Sequence, residues 1–280
     1  MKATPMEPRD LSSELYVEVL PGNGPYLLLV HGFLSCRAYW MLNLEALSKV
    51  SRPVVVELLG HGRSPTPESA EPYHPESYIR AFEEIRKRLG ITQWLLCGQS
   101  MGASLTLRYA LDHPEHIMAH VFTNTNSGFR EIKNMDEVKK GSALLAQMLL
   151  EQGPEGIKKI PVHPANARWL HKGVKAALLE DCSSLSVLGV ANTVRYTSPE
   201  LSVRTEISKN RVPTLLVCGK REKRFKPLRD FAEGQMPLLD IVDLNAGHAV
   251  NIDAAEEFNQ AVTAFFLKHT QAYDQNQHSF

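Results

Sequence analysis

Short, nearly unbroken apolar runs recur along the chain, separated by longer stretches in which apolar positions return every three or four residues. The runs at 15–20, 26–30, 53–58, 93–97, 117–123, 214–218 and 240–244 predict strands. Several are continuous rather than alternating, the pattern of parallel strands covered on both faces. Helices are predicted over 38–48, 75–89, 103–113 and 254–269, the last placing Phe258, Val262, Phe265 and Phe266 on one face. This alternation predicts an α/β fold, a mainly parallel sheet with helices on both faces.

One segment breaks the rhythm. From 126 to 210 the sequence offers no strand pattern, only helical ones at 136–152, at 165–179 and from Ser198-Pro199, where serine can cap and proline can take the first turn. A long helical stretch between two core strands predicts an inserted cap, with the core formed by 1–125 and 211–280. Extra packing helices without a gating role are the alternative. Residues 272–280 are polar and are expected to fray.

Composition narrows the partners. The 280 residues carry a formal net charge of zero, with 43% hydrophobic and 22% charged positions, so neither nucleic acid nor an anionic membrane surface is expected as a partner. Residues 1–10 lack the apolar stretch of a secretory signal, and no run is long enough to span a bilayer, so a cytoplasmic location is expected. Cys36, Cys97, Cys182 and Cys218 are scattered and read as reduced thiols rather than a disulfide framework or zinc site. No metal-ligand spacing or phosphate-binding glycine loop is present, so no cofactor or metal is expected. Nothing in the composition sets an oligomeric state.

The chemistry centres on Gly98-Gln99-Ser100-Met101-Gly102, between a predicted strand and a predicted helix. A serine with glycine two residues before and two after it, at a strand-to-helix corner, is the nucleophile-elbow pattern. The tight turn strains the serine backbone and exposes its hydroxyl. A serine hydroxyl is a poor nucleophile unless a base takes its proton, and a histidine oriented by a carboxylate is the usual base. Asn245-Ala246-Gly247-His248 follows the last predicted strand, which makes His248 the candidate.

These features resemble the α/β-hydrolase fold with a helical cap, over nearly the whole chain. His31-Gly32-Phe33 resembles that family's oxyanion loop, and Gly60-His61-Gly62-Arg63-Ser64 matches the loop after the next strand. The resemblance implies an oxyanion hole from the backbone N–H groups of Phe33 and Met101, and structural roles for His31 and His61. It also implies an acid three residues after the glycine ending the penultimate strand. Glu222 stands there, where aspartate is usual, in a loop with Lys220, Arg221, Lys223, Arg224 and Lys226. If these bases crowd Glu222 they favour its ionised form. Two other acid positions fail: Thr123-Asn124-Thr125-Asn126 holds no carboxylate, and Asp243 lies within a strand close to His248. Glu57 replaces the aspartate the family commonly shows.

Ser100, Glu222 and His248 suit hydrolysis of small or medium carboxylic esters through an acyl-enzyme, with a small-molecule ester as the partner. A serine nucleophile argues against the dehalogenases and epoxide hydrolases of this fold, which use aspartate. Other readings stay open. The sequence also resembles menaquinone-pathway synthases that eliminate pyruvate from a polyanionic substrate, but their arginine two residues past the elbow is Ser104 here; Arg37, Arg108, Arg168 or Arg195 would have to substitute. Carbon–carbon bond hydrolysis and a non-catalytic binding role also remain open. Met135, Leu144, Leu145, Met148, Leu149 and Trp169 either line a pocket beneath the cap or form core.

Overall fold

The computed structural model describes residues 14–167, 170–182 and 185–277, with side chains described through 270. Seven strands form one sheet in the order β1-β3-β2-β4-β5-β6-β7. They are β1 (Tyr16–Val19), β2 (Tyr26–Val30), β3 (Arg52–Glu57), β4 (Trp94–Gly98), β5 (Ile117–Thr123), β6 (Thr214–Gly219) and β7 (Leu239–Leu244). Only β1 is antiparallel to its neighbour. All seven apolar runs are therefore strands, with ends displaced by at most a residue.

The continuous apolar character of the central strands follows from cover on both faces. Leu28 and Val30 of β2 face one way, with Val54, Val56 and Leu96, against α2 (Pro75–Arg88) and α3 (Met101–Asp112) through Tyr78, Phe82, Leu105 and Tyr109. The intervening Leu27 and Leu29 face the other way, with Val55, Leu95 and Val121, against Leu47 of α1 (Leu44–Ser48) and against Phe258, Val262, Phe265 and Phe266. The period of two along each strand divides the core into these layers. β7, at the sheet edge, is only partly covered and leaves Asp240 and Asp243 exposed.

The helical face of 254–269 lies on α10, which runs further, from Ala255 to Gln277, so the tail expected to fray is helical up to its last three residues, which lie outside the described ones. The pattern at 38–48 resolves into a 3-10 turn, Arg37–Trp40, and then α1. Between β5 and β6 lie α4 (Met135–Gln152), α5 (Pro154–Lys158), α6 (Lys172–Cys182), α7 (Val187–Asn192) and a π-helical turn, Thr193–Thr197; no strand occurs there among the described residues. The pattern from Ser198 yields only two 3-10 turns, Ser198–Glu200 and Ile207–Lys209. After β6 come α8 (Lys226–Gln235) and, before α10, the single turn α9 (Val250–Asp253). Leu149, Ile157, Val190 and Val194 of this segment pack on Leu34, in the loop after β2.

Of the positions read as pocket or core, only Leu149 is buried. Leu144, Leu145 and Met148 of α4 are 61%, 40% and 42% exposed, because periodicity fixes a helix but not which of its positions the protein covers. Trp169, like Arg168, lies outside the described residues. Truncating fully buried Phe258 to alanine should cost about 3–5 kcal/mol in urea unfolding, whereas Leu144→Ser should change stability by no more than about 0.5 kcal/mol.

Candidate active site

Ser100 sits between β4 and α3 with φ 52° and ψ −112°, in the left-handed region that side chains other than glycine rarely occupy. Two contacts explain its flanking glycines. A Cβ on Gly98 would lie 2.2 Å from Thr106 Oγ1, and one on Gly102 would lie 2.2 Å from the Val30 carbonyl. The start of α3 is thus pressed against the end of β2. The loop that follows β2 crosses the serine directly, since a Cβ on Gly32 would meet Ser100 Cβ at 3.0 Å. Phe33 and Met101 therefore stand on the two segments that meet at Ser100. Among the described residues, no protein acceptor takes either of their backbone N–H groups.

The loops after β6 and β7 bring the other two groups. They are joined through their main chains: Lys220 N–H donates to Leu244 O at 3.0 Å and Arg221 N–H to Ala246 O at 2.9 Å. Gly219 permits this approach, because a Cβ there would lie 1.9 Å from Gly247 O. In consequence His248 Nε2 lies 2.9 Å from Ser100 Oγ, and His248 Nδ1 lies 2.8 Å from Glu222 Oε2. An ionised Glu222 only accepts, so Nδ1 carries the ring proton and Nε2 is left to accept from the serine hydroxyl.

Glu222 is 7% exposed and His248 26%. Burial alone would push the Glu222 carboxyl up, but hydrogen bonds and charge from His248, with donors on Asn124 and Arg224, bring it from 4.5 down to about 2. Of the five basic residues in this loop only Arg224 bonds Glu222, at 2.9 Å; Arg221 pairs with Asp253 and Lys226 with Asp230. Asp243 is bound to Arg229 at 2.9 Å, away from His248.

His31 and His61 hold loops. His31 Nε2 accepts from Leu58 N–H at 3.0 Å and His61 Nε2 accepts from Leu34 N–H at 3.1 Å, while their Nδ1 atoms donate to Gly32 O and Leu59 O. Burial pushes His31 down to about 4 and His61 to about 3, so both are neutral at physiological pH. Glu57 ties the same loops together, accepting from Arg37 N–H and Arg63 N–H.

Sequence reasoning missed Asn124 and Asn126. Asn124 Nδ2 donates to Glu222 Oε2 and Asn126 Nδ2 to Glu222 Oε1, each at 2.9 Å. Their signal was the position after β5, which was searched for a carboxylate and not for a donor to one. Of the arginines that might substitute for the one missing at Ser104, Arg37 binds Glu18, Arg108 binds the carbonyls of Glu200 and Ser202, and Arg195 lies over the Tyr196 ring.

A model of the alpha/beta hydrolase fold family matches residues 25–255. A putative 2-succinyl-6-hydroxy-2,4-cyclohexadiene-1-carboxylate synthase of Bacillus subtilis is 24% identical over 88% of this chain and 91% of its own length. The carboxylesterase YbfK of Bacillus subtilis is 25% identical over 88% of this chain and 81% of its own length. The structure of MenH from S. aureus superposes with a TM-score of 0.79 at 20% identity, covering 91% of this chain and 98% of that one.

The depressed Glu222 carboxyl has a measurable consequence. A group whose folded value lies below its unfolded one contributes stability above the unfolded value and loses it as pH falls through the folded one. Glu222→Gln should be less stable than the wild type near neutral pH, and the difference should shrink as pH falls from 4.5 to about 2, measured by urea unfolding across that range.

Proposed function

The chain belongs to the α/β-hydrolase fold family, and from that premise we propose that it is a serine hydrolase that cleaves carboxylic esters of small or medium acyl chain through an acyl-enzyme on Ser100. The observation that carries this reading is the unbroken hydrogen-bonded chain Ser100–His248–Glu222, rooted at a strained elbow. In the first half-reaction Ser100 Oγ attacks the ester carbonyl carbon while His248 Nε2 takes its proton. Glu222 holds the imidazole in the required tautomer and offsets the charge of the imidazolium. The carbonyl oxygen becomes an oxyanion, for which the N–H groups of Phe33 and Met101 are the donors at hand; one such donor is worth about 3–4 kcal/mol of barrier.

The tetrahedral adduct collapses as His248 returns the proton to the leaving alkoxide, giving the acyl-Ser100 ester and free alcohol. Water, deprotonated by His248, then attacks that ester and restores Ser100. Arg37, Arg108 and Arg195 are committed to other partners, which counts against a polyanionic substrate.

The full-length likeness to the putative synthase of Bacillus subtilis favours one second reading, in which the same serine, activated by His248, removes a proton from carbon and starts an elimination. Turnover of p-nitrophenyl esters of graded acyl length, beside an assay for synthase product, separates the two. Ser100→Ala should abolish ester turnover and covalent labelling by a fluorophosphonate, and His248→Ala should reduce turnover by at least about a thousandfold. Full activity in Ser100→Ala would exclude this nucleophile. Activity should also fall on acidification, because a protonated imidazole cannot accept the serine proton.

A further inference from the structure

A glutamate reaches His248 with one more rotatable bond than an aspartate has, so its carboxylate needs more than the histidine to fix its plane. Two side-chain amides from the segment after β5 meet it. Asn124 is fully buried and clamps both the backbone and the side chain of the acid loop. Its Oδ1 accepts from Gly219 N–H at 2.9 Å, and its Nδ2 donates to Gly219 O at 3.1 Å and to Glu222 Oε2 at 2.9 Å. Asn126 Nδ2 donates to Glu222 Oε1 at 2.9 Å. Each carboxylate oxygen thus receives two donors: His248 and Asn124 on Oε2, Asn126 and Arg224 on Oε1.

We propose that Asn124 and Asn126 are positioning residues that hold the Glu222 carboxylate in line with His248 and keep its charge directed at the imidazole. This rests on the reading of Ser100, His248 and Glu222 as the reacting chain. Amides are neutral donors of fixed direction, so they saturate the carboxylate lone pairs without supplying a rival cation. Arg224 is such a cation, but it is largely exposed and its pairing is screened by solvent. A carboxylate at 124 would sit beside Glu222, where two like charges cannot both ionise freely. An apolar residue at 126 would leave one lone pair of a buried anion without its donor.

The other groups around the pair cannot replace the amides. Arg221 is bound to Asp253, whose Oδ2 also accepts from Gly247 N–H. The Tyr39 hydroxyl and the Cys218 thiol lie close enough to feel Glu222, and burial, with nearby carboxylates, keeps both neutral; Cys218 is pushed up to about 12.

The test measures kcat and KM for p-nitrophenyl acetate across pH, with the active fraction fixed by fluorophosphonate titration. Asn126→Leu, at a half-buried position, should lower kcat about tenfold with KM within about twofold. Asn124→Asp, of the same shape, should raise the Glu222 carboxyl through like-charge repulsion and move the acidic limb of the kcat profile up by about one pH unit. In a Glu222→Gln background, Asn126→Leu should not lower the residual rate further, since it acts through the group already altered. The proposal is overturned if both single variants keep the wild-type kcat and acidic limb while Ser100→Ala is inactive, a result that leaves the triad reading standing. It is equally overturned if Asn126→Leu lowers the rate as much in the Glu222→Gln background as alone, which marks a merely structural effect. Failure of the wild type to label, or full activity of Ser100→Ala, removes the triad reading and the positioning role with it.

Discussion

The left-handed backbone of Ser100 is the constraint on which the rest depends. A side-chain-bearing residue in a sparsely populated conformation stores on the order of 1–3 kcal/mol, and it persists only where its surroundings leave it no alternative. Here β4 is paired on both sides, α3 is pressed through Gly102 onto the Val30 carbonyl, and Gln99 N–H is bound to that same carbonyl. The strand cannot slide, the helix cannot retreat, and the one residue between them takes up the mismatch. That strain aims the hydroxyl out of the sheet edge, where the loops after β2, β6 and β7 converge, at the carboxyl ends of parallel strands.

Burial then sorts the histidines into two kinds. His31 and His61 are fully enclosed, and an enclosed imidazole has a strong cost against taking a proton. They serve as neutral pairs of hydrogen-bonding atoms that lock Leu58 and Leu34, and with them the loop carrying Phe33. His248, half-buried, instead stands between a buried carboxylate on one nitrogen and a hydroxyl on the other. The same side chain is a closed spacer in one place and part of a side-chain relay in another, and the difference lies in its partners.

The sheet was legible in the sequence because a strand covered on both faces needs an unbroken apolar run, and 26–30, 117–123 and 214–218 offer little else. Ser100, Glu222 and His248 were legible because each follows the end of a strand and two of them lie beside glycines that close contacts require. Asn124 and Asn126 were not, since an amide binding a carboxylate across the sheet leaves no periodic trace and the partners are nearly a hundred residues apart. α4 shows a related limit: Leu144, Leu145 and Met148 follow the same apolar rule as Leu149, but of the four only Leu149 is buried.

The way the segment between β5 and β6 is rooted decides how firmly it stands on the core. It leaves the core near Arg130 and returns near Arg204, and these two ends are tied to each other. Arg130 Nη2 donates to the carbonyls of Ser198 and Pro199, Ser202 Oγ to Arg130 O, and Arg204 Nη1 to Phe129 O. Arg108, two turns along the helix that Ser100 begins, donates to the carbonyls of Glu200 and Ser202. Hydrogen bonds from a charged group contribute about 1.5–3 kcal/mol each, so the cross-tied root resists separation from α3. Beyond this root the segment is fixed along its length as well: Ser186 N–H donates to Gly60 O, Asn192 Nδ2 to Pro67 O and Thr197 Oγ1 to Tyr73 O, while Val174 and Leu178 pack with Cys36 and Ala38, and Val190 and Val194 with Leu34.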